Sequence, residues 1–199
     1  GVWALAYSPG GEQHASGGND NLVKLWNPTT GKRSRILEGH RYRISSLMYS
    51  LDGQRLISGS DDNTVKLWDV NTGCCLSTFE GHQDSVWSVM YSPNGQQFAS
   101  ASSDKTVKLW NPDSGECICT LEGHGNVVWS VAYHSDRKEI ASAGSDKTVK
   151  LWNPDSGECI RTLQGHEDWV RSVVYSPDVQ QLASACSDRT VKLWNPDSG

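Results

Sequence analysis

The sequence has no long hydrophobic run and no block of charge of one sign. No stretch of about 18 apolar residues occurs in the 199 residues, which excludes a transmembrane helix of ordinary length. The net charge is −5 and both signs are interspersed, so the basic stripe of a nucleic-acid or acidic-membrane binder is missing. No signal peptide is visible, because the sequence opens directly in a strand-like pattern.

Hydrophobic residues are also scarce, at 36% of the sequence, which is below the usual share for a globular domain. Nine tryptophans offset this shortage, since each indole ring can bury roughly 150–250 Å². The sequence can therefore supply a core of ordinary size from a modest number of apolar residues.

The six cysteines match no zinc-binding pattern. Cys75, Cys117 and Cys159 are evenly spaced because they stand at the same position of an internal repeat, and neither Cys74-Cys75 nor Cys117-x-Cys119 has ligand spacing. We expect free thiols in the cytoplasm or another reducing compartment, with no metal and no cofactor.

An internal repeat with a constant period fills the sequence without insertions. The stretch Val-Lys-Leu-Trp recurs once per unit, ending at Trp26, Trp68, Trp110, Trp152 and Trp194. Gly-His pairs recur with the same period, and a Ser and an Asp stand ten and six positions before each of these tryptophans. The stretch from Ser103 to Ile118 recurs letter for letter from Ser145 to Ile160. This regularity leaves no linker, so residues 1–199 are expected to form a single domain.

Each unit is predicted to contain four short strands joined by tight turns. Residues 106–111 are β-branched and alternating, turn signals such as Pro-Asn-Gly separate the strands, and no segment has a helical period. The alternation over residues 85–92 requires a bulge near Trp87–Ser88. A four-stranded antiparallel meander exposes two apolar faces, so it must stack on copies of itself, and radial stacking gives a β-propeller.

The first hairpin of each unit contains a turn position where the units differ. Gly11, Gly53 and Gly95 occupy it in three units, but Arg137 and Val179 stand there in the last two. A β-branched valine is unfavourable at positive φ. Either these turns change type or the backbone is strained.

The order of Gly-His, a long spacer and then Trp-Asp or Trp-Asn, with four predicted strands per unit, resembles the WD-repeat (β-transducin-like) family over the whole sequence. The resemblance implies an all-β propeller in which five four-stranded antiparallel blades are visible and the last lacks its outer strand. The dipeptide is Trp68-Asp69 once and Trp-Asn in the other units, and Asn can take the turn role of Asp.

The resemblance also implies a structural role for the recurring Ser, His and Asp. Such a set could serve nucleophilic catalysis, but four copies of one catalytic site in one domain would be unusual. A buried chain satisfies every polar group if Trp donates to Ser, Ser to His, and His to Asp. The four implied sets are His40/Ser58/Asp62/Trp68, His82/Ser100/Asp104/Trp110, His124/Ser142/Asp146/Trp152 and His166/Ser184/Asp188/Trp194.

Function is expected where the copies differ, beside the β-branched residues Val2, Ile44, Val86, Val128 and Val170. The variable flanking positions contain all four tryptophans outside Val-Lys-Leu-Trp. In the family that the chain resembles, these positions and the residue before each repeat's Asp lie around the central channel on the top face. The predicted partner-binding residues are Trp3, Arg43, Ser45, Trp87, Trp129, Trp169, Arg171, Asp61 and Asn19.

Tryptophan and arginine are typical of interaction hot spots, although these tryptophans could instead fill space between blades. We favour a non-enzymatic scaffold that binds a protein or peptide. The alternatives are a C-terminal sensor module of a larger signalling or nucleotide-binding switch protein, and an enzyme with its site at the channel mouth. The enzyme hypothesis lacks a carboxylate pair, a metal cluster or a phosphate-binding glycine pattern.

The first and last units are incomplete. The first begins inside a strand and lacks its Gly-His, and the last stops before a fourth strand. Relatives most often close with seven blades, so we expect a fragment of a longer propeller. The alternatives are a partial ring that associates with itself through the incomplete blade edge, and a five-bladed monomer.

Overall fold

The computed structural model describes residues 1–135 and 139–198, which contain nineteen β-strands in five sheets. The first sheet contains β1 (Val2–Tyr7), β2 (His14–Gly18), β3 (Val23–Trp26) and β4 (Arg33–Leu37). The second contains β5 (Ile44–Tyr49), β6 (Arg55–Ser60), β7 (Val65–Asp69) and β8 (Cys75–Phe79). The third contains β9 (Val86–Tyr91), β10 (Phe98–Ser102), β11 (Val107–Trp110) and β12 (Cys117–Leu121). The fourth contains β13 (Val128–Tyr133), β14 (Ile140–Gly144), β15 (Val149–Trp152) and β16 (Cys159–Leu163), and the fifth contains β17 (Val170–Tyr175), β18 (Leu182–Cys186) and β19 (Val191–Trp194).

Every sheet is an antiparallel meander whose strands follow chain order. Four sheets have four strands and the fifth has three, which confirms the predicted blades and the missing outer strand of the last one. Residues 1–135 and 139–198 contain no helix, and therefore none long and apolar enough to cross a membrane.

The first strand of each sheet contains a β-bulge. In the third sheet Val86 pairs with Ser102 and Ser88 pairs with Ala101, which leaves Trp87 without a partner and confirms the predicted bulge. The same shift skips one residue in each of the other first strands, namely Trp3, Ser45, Trp129 and Arg171. A bulge redirects the extra side chain. The side chains of these variable residues therefore do not follow the two-residue alternation of the strand, which buries their neighbours.

The core lies between consecutive sheets. Leu25 of β3 packs in one buried cluster with Ile44 and Tyr49 of β5, and each further cluster joins the next pair of sheets in the same way. The first strands β1, β5, β9, β13 and β17 contact each other in that order. The second, third and fourth sheets therefore bury both faces against their neighbours, as stacked propeller blades do, and the first and fifth sheets bury one face each.

The β-branched position of the first strand is fully buried in the second to fifth sheets, where Ile44 and Val170 have no exposed surface. The constant apolar, β-branched character of this position predicts that it faces packing in every unit, which is wrong for Val2, because this residue is 66% exposed. No described sheet packs against that side of β1. Val191 and Leu193 of β19 are exposed on the opposite side of the array for the same reason.

The hairpin turn at Val179 keeps its type and is strained. Val179 has φ of +51° and donates its N–H to Ser176 O, as Gly95 at φ of +70° donates to Ser92 O. A β-branched residue is a genuine outlier in this region. Of the two alternatives, backbone strain therefore applies to Val179, while Arg137 lies outside the described residues.

Candidate functional site

Two sets of side chains recur around the array: buried hydrogen-bonded chains inside the sheets, and a line of rings and guanidinium groups at the bulges. In the third sheet Trp110 Nε1 donates to Ser100 Oγ at 2.8 Å. Ser100 Oγ lies 2.7 Å from His82 Nε2, and His82 Nδ1 lies 2.6 Å from Asp104 Oδ2. An ionised carboxylate only accepts, so Nδ1 carries the proton and Nε2 accepts from the serine.

All four predicted sets adopt this arrangement. The histidine Nδ1 to aspartate Oδ2 distance is 2.8 Å at His40, His124 and His166. The corresponding serines lie 2.7, 2.7 and 2.8 Å from Nε2, and the tryptophans donate to them at 2.8 Å. In the first sheet Trp26 donates to Ser16 at 2.8 Å in the same way, and the equivalent histidine position would precede residue 1.

The burial of the serines and histidines in these hydrogen-bonded chains limits the chemistry that they can perform. The hydroxyl-bearing residues Ser58, Ser100 and Ser142 have no exposed surface, and His82 is buried. A nucleophile must reach its substrate, and these hydroxyls are enclosed and already accept from an indole. The arrangement satisfies buried polar groups inside each sheet, which is a structural role.

Threonine is a further member of each chain that the sequence reasoning missed. Thr64 and Thr106 donate from Oγ1 to Oδ1 of Asp62 and Asp104 at 2.6 and 2.7 Å. Thr148 and Thr190 do the same for their aspartates. The signal was available, because a threonine stands two positions after the aspartate in these four units and Leu22 replaces it in the first.

The glycine of each Gly-His pair is required by the same geometry. Gly81 has φ of +151°, and a Cβ there would lie 3.2 Å from Cη2 of Trp110. Gly39 has the same relation to Trp68. Any other residue would have a strained backbone at this φ, and its Cβ would crowd the indole that donates the first hydrogen bond of the buried set.

The carboxyl groups of the chains are held ionised. Burial raises the pKa of Asp104, but hydrogen bonds from His82 and Thr106 outweigh it, so this pKa lies well below the usual range. Asp62 and Asp146 show the same balance of burial against hydrogen bonds from histidine and threonine. Opposing effects of this kind are expected where a buried carboxylate accepts several hydrogen bonds.

One group of side chains has the composition of a metal site. The ligand atoms of His166, Cys186 and Asp188 all lie within 4.8 Å of one another. Both ring nitrogens of His166 already have protein partners, Asp188 and Ser184. Cys186 Sγ accepts from the N–H of Asp188 at 3.3 Å, as Ser102 Oγ accepts from Asp104. Cys186 therefore takes the place of a turn-capping serine.

The second recurring set lies at and beside the bulges, and the three indoles at bulged positions are each held by the residue before the repeat's aspartate. Trp3 Nε1 donates to Asn19 Oδ1, and Trp87 and Trp129 donate to the hydroxyls of Ser103 and Ser145, each at 2.6 Å. The predicted residues before the aspartate therefore act as anchors for the bulged side chains, with each indole in one fixed orientation.

Arg43 fills the gap that the short side chain of Ser45 leaves between two indoles. Its guanidinium carbon lies 4.7 Å from the ring centroid of Trp3 and 5.1 Å from that of Trp87. Its Nε lies 2.9 Å from Asp61 Oδ2. Ser45 itself donates to the backbone carbonyls of Gly59 and Val86, so its hydroxyl is directed into the joint between two sheets.

The line of rings continues across the next two sheets. The centroids of Trp87 and Trp129 are 4.7 Å apart, and those of Trp129 and Trp169 are 6.2 Å apart. The guanidinium of Arg171 lies 4.5 Å from the ring of Trp129 and 4.6 Å from that of Trp169. We call the continuous line of Trp3, Arg43, Trp87, Trp129, Trp169 and Arg171 the rim arc.

The rim arc is half-exposed as a whole. Trp3 is 60% exposed and Trp169 is 43% exposed, whereas Trp87 and Trp129 are half-buried between their neighbours. The central indoles thus fill space between sheets and also present one edge to solvent. The arrangement can offer apolar rings, cation–π contacts and guanidinium donors to another molecule.

The family model described as "WD domain, G-beta repeat" matches residues 1–27, 31–69, 73–111, 115–153 and 157–195. Each match after the first runs from near the outer strand of one sheet to the third strand of the next. A comparison with curated proteins found no match.

Proposed function

Because the chain belongs to the WD-repeat family, we propose that it is a scaffold that binds a protein or peptide partner through the rim arc. Domains of this family generally mediate protein–protein interaction or scaffolding and are typically non-enzymatic. The family gives the kind of function, and the proposal adds the face and the residues that perform it.

The observation that carries the proposal is the contrast between the two recurring sets. The residues that the units share are buried in hydrogen-bonded chains, as His82 and Ser100 are. The residues in which the units differ lie together in one line of indole and guanidinium groups that contact each other. Tryptophan and arginine carry a large share of binding energy at protein interfaces, and pre-ordered rings lose little entropy on binding.

The test compares the full chain with the double variant Trp87→Ala/Trp129→Ala in an affinity pull-down from lysate with quantified recovery. Proteins retained by the wild type are expected to be lost from the double variant. Both indoles are half-buried, so the expected loss in unfolding free energy is about 2 kcal/mol for each ring, less than the roughly 3–5 kcal/mol of a fully buried aromatic side chain.

The matched control is Leu76→Ala/Ile118→Ala, which removes two exposed apolar side chains from the outer strands β8 and β12. This control is expected to retain the same proteins as the wild type. If the rim double variant keeps every protein that the wild type retains, the proposed face is wrong. Severe unfolding of either single tryptophan variant would favour a space-filling role instead.

We also propose that the chain works in a reducing compartment such as the cytoplasm. All six cysteines are free thiols, and four of them are exposed on or beside the outer strands. Burial raises the pKa of Cys119 and Cys186, which keeps these two thiols protonated and less reactive.

A further inference from the structure

We propose that Arg171 is the point at which the rim arc binds an acidic side chain of a peptide partner. This inference rests on the proposed function and adds the chemistry of the partner to it. The two arginines of the rim arc each contact two indoles but are paired differently.

Arg43 shows how this protein completes a stacked guanidinium. Its guanidinium carbon lies over the rings of both Trp3 and Trp87. Asp61 pairs with the same group, with Nε 2.9 Å from Oδ2 and a hydrogen bond from Nη2 to Oδ1 at 3.3 Å. The charge of Arg43 is therefore matched within the protein.

Arg171 also contacts two indoles, but it has no carboxylate partner among the described residues. Its guanidinium carbon lies 4.5 and 4.6 Å from the rings of Trp129 and Trp169, which contact each other, and its Nε donates to Ser187 Oγ at 3.1 Å. Ser187 holds in the last unit the position that Asp61 holds in the second, directly before the repeat's aspartate. Neither terminal nitrogen of Arg171 has a hydrogen bond or an ion pair within the described part of the chain.

The surroundings of Arg171 leave this charge unmatched. Glu167 and Asp168 are the acidic residues nearest to it before the strand, but neither forms an ion pair with it in the ranges that the structure describes. Asp168 Oδ1 accepts the backbone N–H of Trp169 at 2.8 Å. Arg171 is exposed, so a group from another molecule can reach it.

A carboxylate is the group that this edge fits. The two terminal nitrogens of a guanidinium form a planar fork that matches the two oxygens of a carboxylate. The contacts with the two rings and the bond from Nε to Ser187 leave these terminal nitrogens open to such a partner. The exposed ring of Trp169 beside it can cover the apolar part of a peptide. An Asp or Glu of the partner would thus form with Arg171 the ion pair that Asp61 forms with Arg43.

The experiment uses random peptides displayed on phage and selected on the full chain. Recovered peptides are synthesised with and without an amide in place of each Asp or Glu, and their affinities are measured on wild type and Arg171→Gln. The recovered peptides are expected to share an acidic residue. We expect Arg171→Gln to weaken binding about tenfold, the usual range for losing a charged hydrogen bond.

The two changes must also be coupled. Replacing the peptide's acidic residue by its amide is expected to weaken binding to the wild type about tenfold but to change binding to Arg171→Gln little. The matched control is Arg33→Gln on the outer strand β4, which removes the same charge from an exposed position outside the rim arc and is expected to leave affinity unchanged.

The outcomes separate this inference from the proposed function. Two outcomes would overturn the acidic partner and leave the rim arc as the binding face. In the first, the recovered peptides fail to bind Trp87→Ala/Trp129→Ala but contain no acidic residue. In the second, the amide change weakens binding to wild type and to Arg171→Gln equally. Peptides that bind equally well to the tryptophan double variant would overturn both.

Discussion

Each buried chain depends on one histidine that links the middle of a sheet to its turn. His82 joins Ser100 on β10 to Asp104 in the following turn, and the N–H of Gln83 donates to the same carboxylate at 3.0 Å. The imidazole therefore ties the segment that enters a sheet to two of its strands. Removing it leaves a serine hydroxyl and a carboxylate short of partners in a buried place.

His82→Ala is expected to lower the free energy of unfolding by about 2–4 kcal/mol, since two hydrogen bonds are lost and buried groups remain unsatisfied. Chemical denaturation of the purified variant measures this. A suitable control is His14→Ala, because His14 is only partly buried, lies outside the four chains and stacks on Trp26. If the variant instead lost a hydrolytic activity while its free energy of unfolding stayed unchanged, the hydrogen-bonded chain of Trp110, Ser100, His82 and Asp104 would be catalytic.

At the scale of the strands, neighbouring sheets are joined by hydrogen bonds as well as by apolar packing. Ser46 of β5 accepts the N–H of Val89 in β9 at 3.1 Å. Ser88 and Ser130 accept from Val131 and Val173 in the same way. These serines lie directly after the bulges, so the bulge that exposes the rim residue also positions the joint to the next sheet.

Ser46→Ala is expected to destabilise the protein by about 1–2 kcal/mol, because the N–H of Val89 loses its acceptor between two sheets. Thermal unfolding followed by calorimetry measures the change. Ser172→Ala is the matched control: Ser172 has the same position on β17 and is exposed, and its hydroxyl has no hydrogen bond in the described ranges. If both variants lost the same free energy of unfolding, the hydrogen bond of Ser46 would not stabilise the contact between the second and third sheets.

Strands, turns and the bulge at Trp87 were predictable because they depend on local pattern: β-branched alternation, glycine turns and a break in phase. The four buried chains were expected from the family resemblance, since their members recur at fixed spacing. Contacts between different units were not predictable in this way. Arg43 lies between Trp3 and Trp87 only because Ser45 is short and the sheets meet there, and this depends on tertiary packing.

For the whole molecule, the buried carboxylates make stability depend on pH. Burial raises the pKa of Asp62, Asp104 and Asp146, but hydrogen bonds from histidine and threonine hold each folded-state pKa well below its value of about 3.9 in an unfolded chain. Below that pH the unfolded chain binds protons that the folded protein does not. This contribution to stability is therefore complete above about pH 5 and is lost as the pH falls below about 4.

The free energy of unfolding is expected to fall in acid by about 1.4 kcal/mol per pH unit for each carboxylate that stays ionised only in the folded state. Denaturant titrations between about pH 5 and pH 3 measure this slope. Asp104→Asn should be less stable at neutral pH but should lose less stability in acid, since it removes one of these groups. An unchanged slope in that variant would mean that Asp104 does not contribute to acid sensitivity.

The central claim is that the shared residues hold the sheets together and the differing residues of the rim arc recognise a partner. Amide hydrogen exchange of the full chain, with and without a peptide selected on it, tests this most directly. The account predicts slower exchange around residues 43–45, 85–88, 127–130 and 169–172, with the outer strands β4, β8, β12 and β16 unchanged. Protection confined to those outer strands, with the rim arc unaffected, would contradict it.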